Sequence, residues 1–131
     1  MKLTKNFYLH EFSCNDGTSV PDKFMDNVQE LANNLQLLRD FIGQPIHINS
    51  SYRHPNYNKK IGGAKYSQHL TASASDITAR DITPKKLSKT ILKLIKQGKM
   101  TEGGVGLYNG FVHYDIRGKK AMWDNSSLFN F

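Results

Sequence analysis

Val105-Gly106-Leu107-Tyr108-Asn109-Gly110-Phe111-Val112-His113-Tyr114-Asp115-Ile116 reads as two strands about a tight turn. Val105 and Leu107 belong to the first strand, Asn109-Gly110 is a two-residue hairpin signal, and Phe111 to Ile116 form the return strand. The two-residue period of a strand puts His113 and Asp115 on the same side of the sheet. Upstream, Pro45-Ile46-His47-Ile48-Asn49-Ser50 alternates apolar and polar residues. It predicts a strand with Ile46 and Ile48 on one face and His47 on the other. Ser73 to Ala79 fits a further short strand, with Ala74, Asp76 and Thr78 sharing a face.

Two helices accompany these strands. Phe24, Val28, Leu31, Leu35, Leu38 and Ile42 recur at steps of three and four, the spacing of one buried helical face. Pro21 suits the first turn of that helix and Gly43 its stop. Thr83 reads as the N-cap of the second helix, with Pro84 at its first position. Leu87, Ile91, Leu94 and Ile95 form its apolar stripe. Lys85, Lys86, Lys89, Lys93 and Lys96 take the rest of its surface, and Gly98 ends it. Residues 7–20 read as irregular, and residues 51–68 as a long loop with room for one helical turn. Loops of that length in a compact domain are usually functional or disordered. The element order predicts one α+β domain over residues 1–131, with a small, mostly antiparallel sheet and two main helices.

Composition narrows the classes. The 131 residues are 38% hydrophobic and 22% charged, an ordinary globular balance that argues against disorder. No apolar run approaches the ~20 residues needed to span a bilayer. The basic N-terminus Met1-Lys2-Leu3-Thr4-Lys5 has no apolar core or cleavage site after it, so no secretion signal is read. Cys14 is the single cysteine, which excludes an internal disulfide and a cysteine-rich zinc site; it reads as a small buried hydrophobe. The net charge of +7 favours acidic partners such as nucleic acid, anionic lipid or anionic cell-wall polymers. The absence of any nucleic-acid-binding signature argues against the first.

Five histidines are present. His10 and His54 lie in stretches with no other metal-ligand pattern, and His47 lies on the predicted strand; all three read as structural or surface groups. His69 differs: Ser67-Gln68-His69-Leu70-Thr71-Ala72-Ser73-Ala74-Ser75-Asp76 lets the chain leave a loop, enter a strand and bring an imidazole and a carboxylate to one point. The small residues 72–75 permit close packing there. With His113 these make a candidate three-ligand metal site of the His/Asp type that catalytic zinc uses. On the residues alone, Asp76 could equally cap the turn before the second helix, and Asp115 could pair with a surface lysine.

Ser67-x-His69-x-x-Ala72-x-Ala74-x-Asp76 resembles the Ser-x-His-x-x-Gly-x-Ala-x-Asp signature of the M15 peptidases, a family that includes zinc D-Ala-D-Ala carboxypeptidases and phage L-alanyl-D-glutamate endopeptidases. The resemblance runs nearly the whole chain in order. Glu11-Phe12-Ser13-Cys14 is similar to the start of one subgroup, Asn49-Ser50-Ser51-Tyr52-Arg53 to the family's Asn-Ser-Gly-Tyr-Arg segment, and Ile61-Gly62-Gly63-Ala64 to its glycine-rich link. Gly103 to Tyr108 and Phe111 to Gly118 resemble the subgroup's last block, which often ends near a tryptophan, here Trp123.

The resemblance implies a hedgehog/DD-peptidase-like fold and zinc (Zn2+) held by His69, Asp76 and His113. It implies that Arg53 holds substrate or stabilises an oxyanion, the alternative being a structural salt bridge. Ser67 and Tyr108 are expected beside Arg53 on the substrate side, and Tyr52, Tyr57 and Tyr66 are further candidates for the cleft wall. Ala72 and Ser51 stand where the family has glycine, and Ala72 is strained if its φ is positive. The acid that some members carry three residues before the last histidine is Gly110 here. Asp115 is therefore the candidate general base, or else a partner that orients a ligand; Glu102 is a more distant choice. The implied substrate is a peptidoglycan stem peptide or cross-link, reached at the cell wall through a phage particle, lysis or non-standard export, as for an endolysin or virion-associated hydrolase. The other reading is a catalytically weak zinc-binding module with a structural or wall-recognition role.

Overall fold

The computed structural model describes residues 1–126. After Pro21 a short 3-10 turn, Asp22–Phe24, leads into helix α1 (Met25–Ile42). Val28, Leu31, Leu35 and Leu38 are fully buried, as their spacing predicts. Gly43 ends the helix in the left-handed region, and its N–H donates to Arg39 O at 2.9 Å. Strand β1 (Ile46–Ser50) follows. The loop after it contains helix α2 (Pro55–Lys60) and a 3-10 turn at Gln68–Thr71. Strand β2 (Ala74–Ala79), helix α3 (Pro84–Lys96), strands β3 (Gly104–Leu107) and β4 (Val112–Asp115) complete the foreseen elements. Thr83 caps α3, its hydroxyl accepting from Lys86 N–H at 3.2 Å. The β3–β4 turn falls at Asn109-Gly110, closed by Tyr108 N–H donating to Phe111 O at 3.0 Å.

Strand β5 (Ala121–Asp124) was not foreseen. Its four residues carry no alternation strong enough to read alone. It exists because β3 offers it an edge, and it pairs there in parallel. The sheet order is β1-β2-β4-β3-β5, antiparallel except for that last pair. The architecture is the expected α+β arrangement with two main helices. Residues 7–20 are not merely irregular: Phe7 and Phe12 are core residues, the latter in a 3-10 turn at Leu9–Phe12. Cys14 is buried as expected.

One face of the sheet, carrying Ile46, Ile77, Val105, Val112 and Tyr114, packs with the apolar sides of α1 and α3 into the core. Strand alternation then sends the intervening side chains to the opposite face. Register aligns them: Asp76 is paired with His113, His113 with Gly106, and Gly106 with Trp123. No helix among the described residues is long and apolar enough to cross a membrane.

Candidate metal centre

His69 sits in the 3-10 turn Gln68–Thr71, whose cap is Ser67; the Ser67 hydroxyl accepts from His69 N–H at 3.1 Å. The turn ends at Ala72 with φ +57°. That is the strained, left-handed case anticipated for an alanine in place of glycine, and it steers the chain directly into β2. Asp76 on β2 and His113 on β4 are cross-strand partners. One ligand atom from each of His69, Asp76 and His113 lies within 4.8 Å of the others, and all three residues are buried.

The hydrogen bonds fix which atoms face one another. His69 Nδ1 lies 2.6 Å from Ser51 O. A carbonyl only accepts, so Nδ1 carries the proton and Nε2 holds a lone pair. Likewise His113 Nε2 lies 2.7 Å from the Asp115 carboxylate, which leaves His113 Nδ1 as the bare nitrogen. Those two nitrogens point at the same Asp76 oxygen, Oδ1, at 3.3 and 3.2 Å. With both rings neutral in these tautomers, three acceptors converge with no donor between them, an arrangement that favours a cation at the centre, either a metal ion or a proton added to a ring. Two imidazoles and one carboxylate with both outer nitrogens already anchored is a donor set suited to zinc.

Burial is the largest influence on each acid and opposes its ionisation. For Asp76 the hydrogen bonds and charges of His113 and His69 outweigh it and hold the carboxyl well below the usual range. For Asp115 the hydrogen bonds from His113, Arg117 and Gly104 do the same. Burial also opposes a charge on His113, but Asp115 and Asp76 together raise its pKa above the ordinary value.

The three groups lie at the floor of an open cleft of about 550 Å³. Arg53 stands beside them, donating from Nη2 to Asp76 Oδ2, from Nη1 to Asn58 Oδ1 and from Nε to Ser50 Oγ, each at 3.3 Å. Its guanidinium is held by three partners, so the structural salt bridge and the place in the cleft coexist. Ser67, Tyr66 and Tyr108 line the cleft. Tyr52 does not; it is buried in the core, and Tyr57 packs against that core. His54 caps α2, accepting from Asn56 N–H, and His10 and His47 are exposed.

Asp115 lies behind His113 and away from the cleft. It is fully buried. Oδ1 accepts from Gly104 N–H and from Arg117 N–H and Nε–H; Oδ2 accepts from His113 Nε2–H and Arg117 Nη2–H. Glu102 is exposed and does not line the cleft. Among the described residues lining the cleft, Asp76 is the only acid. Sequence reasoning missed three contributors. The Ser51 carbonyl is a backbone group with no sequence signal. Asn58 likewise announces nothing. Arg117 did carry a signal, since it continues the two-residue step of His113 and Asp115.

A buried His/Asp/His cluster at the base of a cleft, on the open face of a small mixed sheet, defines a candidate metallohydrolase. Residues 4–115 match the family model described as Peptidase M15, and the chain belongs to that peptidase family. No curated protein matches the chain.

Proposed function

We propose that this chain is a zinc peptidase that hydrolyses peptide bonds in peptidoglycan stem peptides or cross-links, in the manner of a phage endolysin or virion-associated hydrolase. The observation that carries this reading is the convergence of His69 Nε2, Asp76 Oδ1 and His113 Nδ1 at the floor of the cleft, with Arg53 beside them. These three side chains would hold the ion. When bound, zinc supplies Lewis-acid polarisation of a carbonyl and lowers the pKa of a water toward ~7. Arg53, locked in place, presents guanidinium N–H groups to a substrate oxygen that gains charge. Arg117 adds a second guanidinium to the cleft wall, and together they suit the carboxylates of stem peptides. Asp115 orients His113 and fixes its tautomer; its burial and its full set of donors support this role over that of a base. On α3, Lys85, Lys86, Lys89, Lys93 and Lys96 are all exposed and fall within an arc of about 100°. That stripe supports a contact with anionic wall polymers.

Mass spectrometry of products from purified sacculi tests the reading. Zinc-loaded wild type should release cleaved stem peptides, and His69→Ala should bind no zinc and release none. One observation favours a second reading, a zinc-binding module without efficient turnover: no acid apart from Asp76 lines the cleft among the described residues. Stoichiometric zinc with no product from any sacculus or fragment would select it.

A further inference from the structure

Trp123 belongs to β5, beyond the residues that match the family model, yet it forms a wall of the cleft. Gly106 is what allows this. In the row His113–Gly106–Trp123 across three strands, the middle position has no side chain. The indole lies flat over it: a Cβ at Gly106 would come within 2.3 Å of the Trp123 ring. From there the ring reaches the His113 imidazole, centroids 5.0 Å apart, and the Arg117 guanidinium packs on it at 5.6 Å. The indole Nε1–H donates to Tyr108 Oη at 3.0 Å.

That last bond sets a polarity. An indole N–H only donates, so Tyr108 Oη is here an acceptor, and its own proton is free to point elsewhere. The phenol ring is biased against turning away, because it stacks on Phe111 with centroids 4.5 Å and planes 11° apart. The hydroxyl is therefore constrained from both ends.

We propose that Tyr108 supplies a hydrogen-bond donor to a substrate oxygen in this cleft, and that Trp123 is the positioning residue that holds the hydroxyl in that sense while walling His113. The proposal rests on the peptidase reading. With two guanidinium groups lining it and three side chains that would hold a metal ion, the cleft suits a substrate bound through oxygens. A neutral donor fixed beside them discriminates a peptide oxygen without adding charge.

Trp123 is the only tryptophan in the chain, so its emission reports on this site alone. Cobalt titrated into the metal-free protein should quench it saturably, zinc should compete, and His69→Ala should abolish the effect. Tyr108→Phe keeps the stacked ring and removes the hydroxyl. It should leave the cobalt affinity unchanged, shift the Trp123 emission maximum because the indole N–H loses its acceptor, and lower kcat/KM on purified muropeptides about tenfold. Trp123→Phe should lower kcat/KM several-fold, and the double variant should be no worse than Tyr108→Phe, since the two act through one hydroxyl. Should Trp123→Phe fail to fold, the Tyr108→Phe shift and kinetics decide alone. Unquenched wild-type emission would remove the metal site and the peptidase reading with it. Normal quenching and turnover with Tyr108→Phe at wild-type kcat/KM would overturn the donor role alone; cobalt binding with no turnover at all would overturn the peptidase reading, and the donor role with it. Additive losses in the double variant would overturn the role of Trp123.

Discussion

Asp115→Asn separates the two roles a carboxylate beside a ligand can play. The side chain is fully buried and accepts five hydrogen bonds, at 2.8, 3.1 and 2.9 Å on Oδ1 and 2.7 and 2.7 Å on Oδ2. An amide placed either way round turns its NH2 toward N–H donors: His113 and Arg117 on one side, Gly104 and Arg117 on the other. At least two donors then lose their acceptor, at about 1–3 kcal/mol each when buried. Arg117 is partly exposed, with 24% of its side chain accessible, and recovers some of this by turning to water. The expected loss is therefore about 3 kcal/mol, the low end of the range for breaking a buried pair. Domains with ~5–15 kcal/mol of stability survive such a loss, so the variant can be studied folded.

The effect on the metal is the sharper readout. Without the carboxylate, the His113 proton is free to move to Nδ1, the nitrogen that faces Asp76. Zinc affinity, measured by competition with a chelator, should fall about 10–100-fold, and activity should return as zinc is raised. Urea unfolding of the metal-free protein gives the stability term. A base would behave differently: its removal would leave zinc affinity intact and abolish kcat at every zinc concentration. That outcome, or a stability change below about 1 kcal/mol, would refute the assignment of Asp115 as the group that orients His113.

Gly63→Ala would place a Cβ 2.0 Å from Asn58 Oδ1, the atom that receives Arg53 Nη1. It should destabilise by about 1–3 kcal/mol in urea melts and raise KM while zinc affinity stays unchanged. Ala72→Gly relieves about 1–2 kcal/mol of left-handed strain but deletes a buried methyl worth about 0.8 kcal/mol and adds about 0.4–1 kcal/mol of unfolded-chain entropy. A net change within about 1 kcal/mol is expected by the same melts, small for a fully buried site. The metal-free protein should be most stable in mild acid. Asp115, whose pKa is lowered on folding, contributes above its unfolded value of 3.8 and loses that contribution as pH falls below it. His113, whose pKa is raised, contributes below 6.5 and loses it as pH rises through the raised value. Unfolding curves across pH 3–9 check both limbs, and Asp115→Asn should make the acid one shallower, leaving the share of Asp76, whose pKa is lowered in the same direction.

The periodic parts of this fold were legible. The α1 stripe, the alternation of β1 and the hairpin each bury one face, and a period marks such a face directly. That His69, Asp76 and His113 come together was suggested by spacing, since His69 and Asp76 bracket a loop-to-strand passage and His113 lies on a strand, but it was the family resemblance that singled out the three as a set. What could not be read was direction. Sharing a face with His113 made Asp115 a neighbour, but only the ring orientation, Nδ1 toward Asp76 and Nε2 toward Asp115, assigns it to the back of the ligand. Strand β5 was illegible for a different reason. Its stability comes from the β3 edge and the bare surface of Gly106, so nothing within its four residues signals it.

The same convergence predicts how zinc couples to folding. His69, Asp76 and His113 come from a turn and two strands that only the folded sheet brings together, so the unfolded chain offers no comparable site. Binding to the native state alone adds stability as the logarithm of ligand over Kd, about 2.7 kcal/mol at one hundred times Kd. Zinc should therefore raise the urea midpoint by that free energy divided by the slope, leaving the slope unchanged, and His69→Ala should show no shift. A midpoint indifferent to zinc in the wild type would mean that the three groups, despite their geometry, do not share an ion.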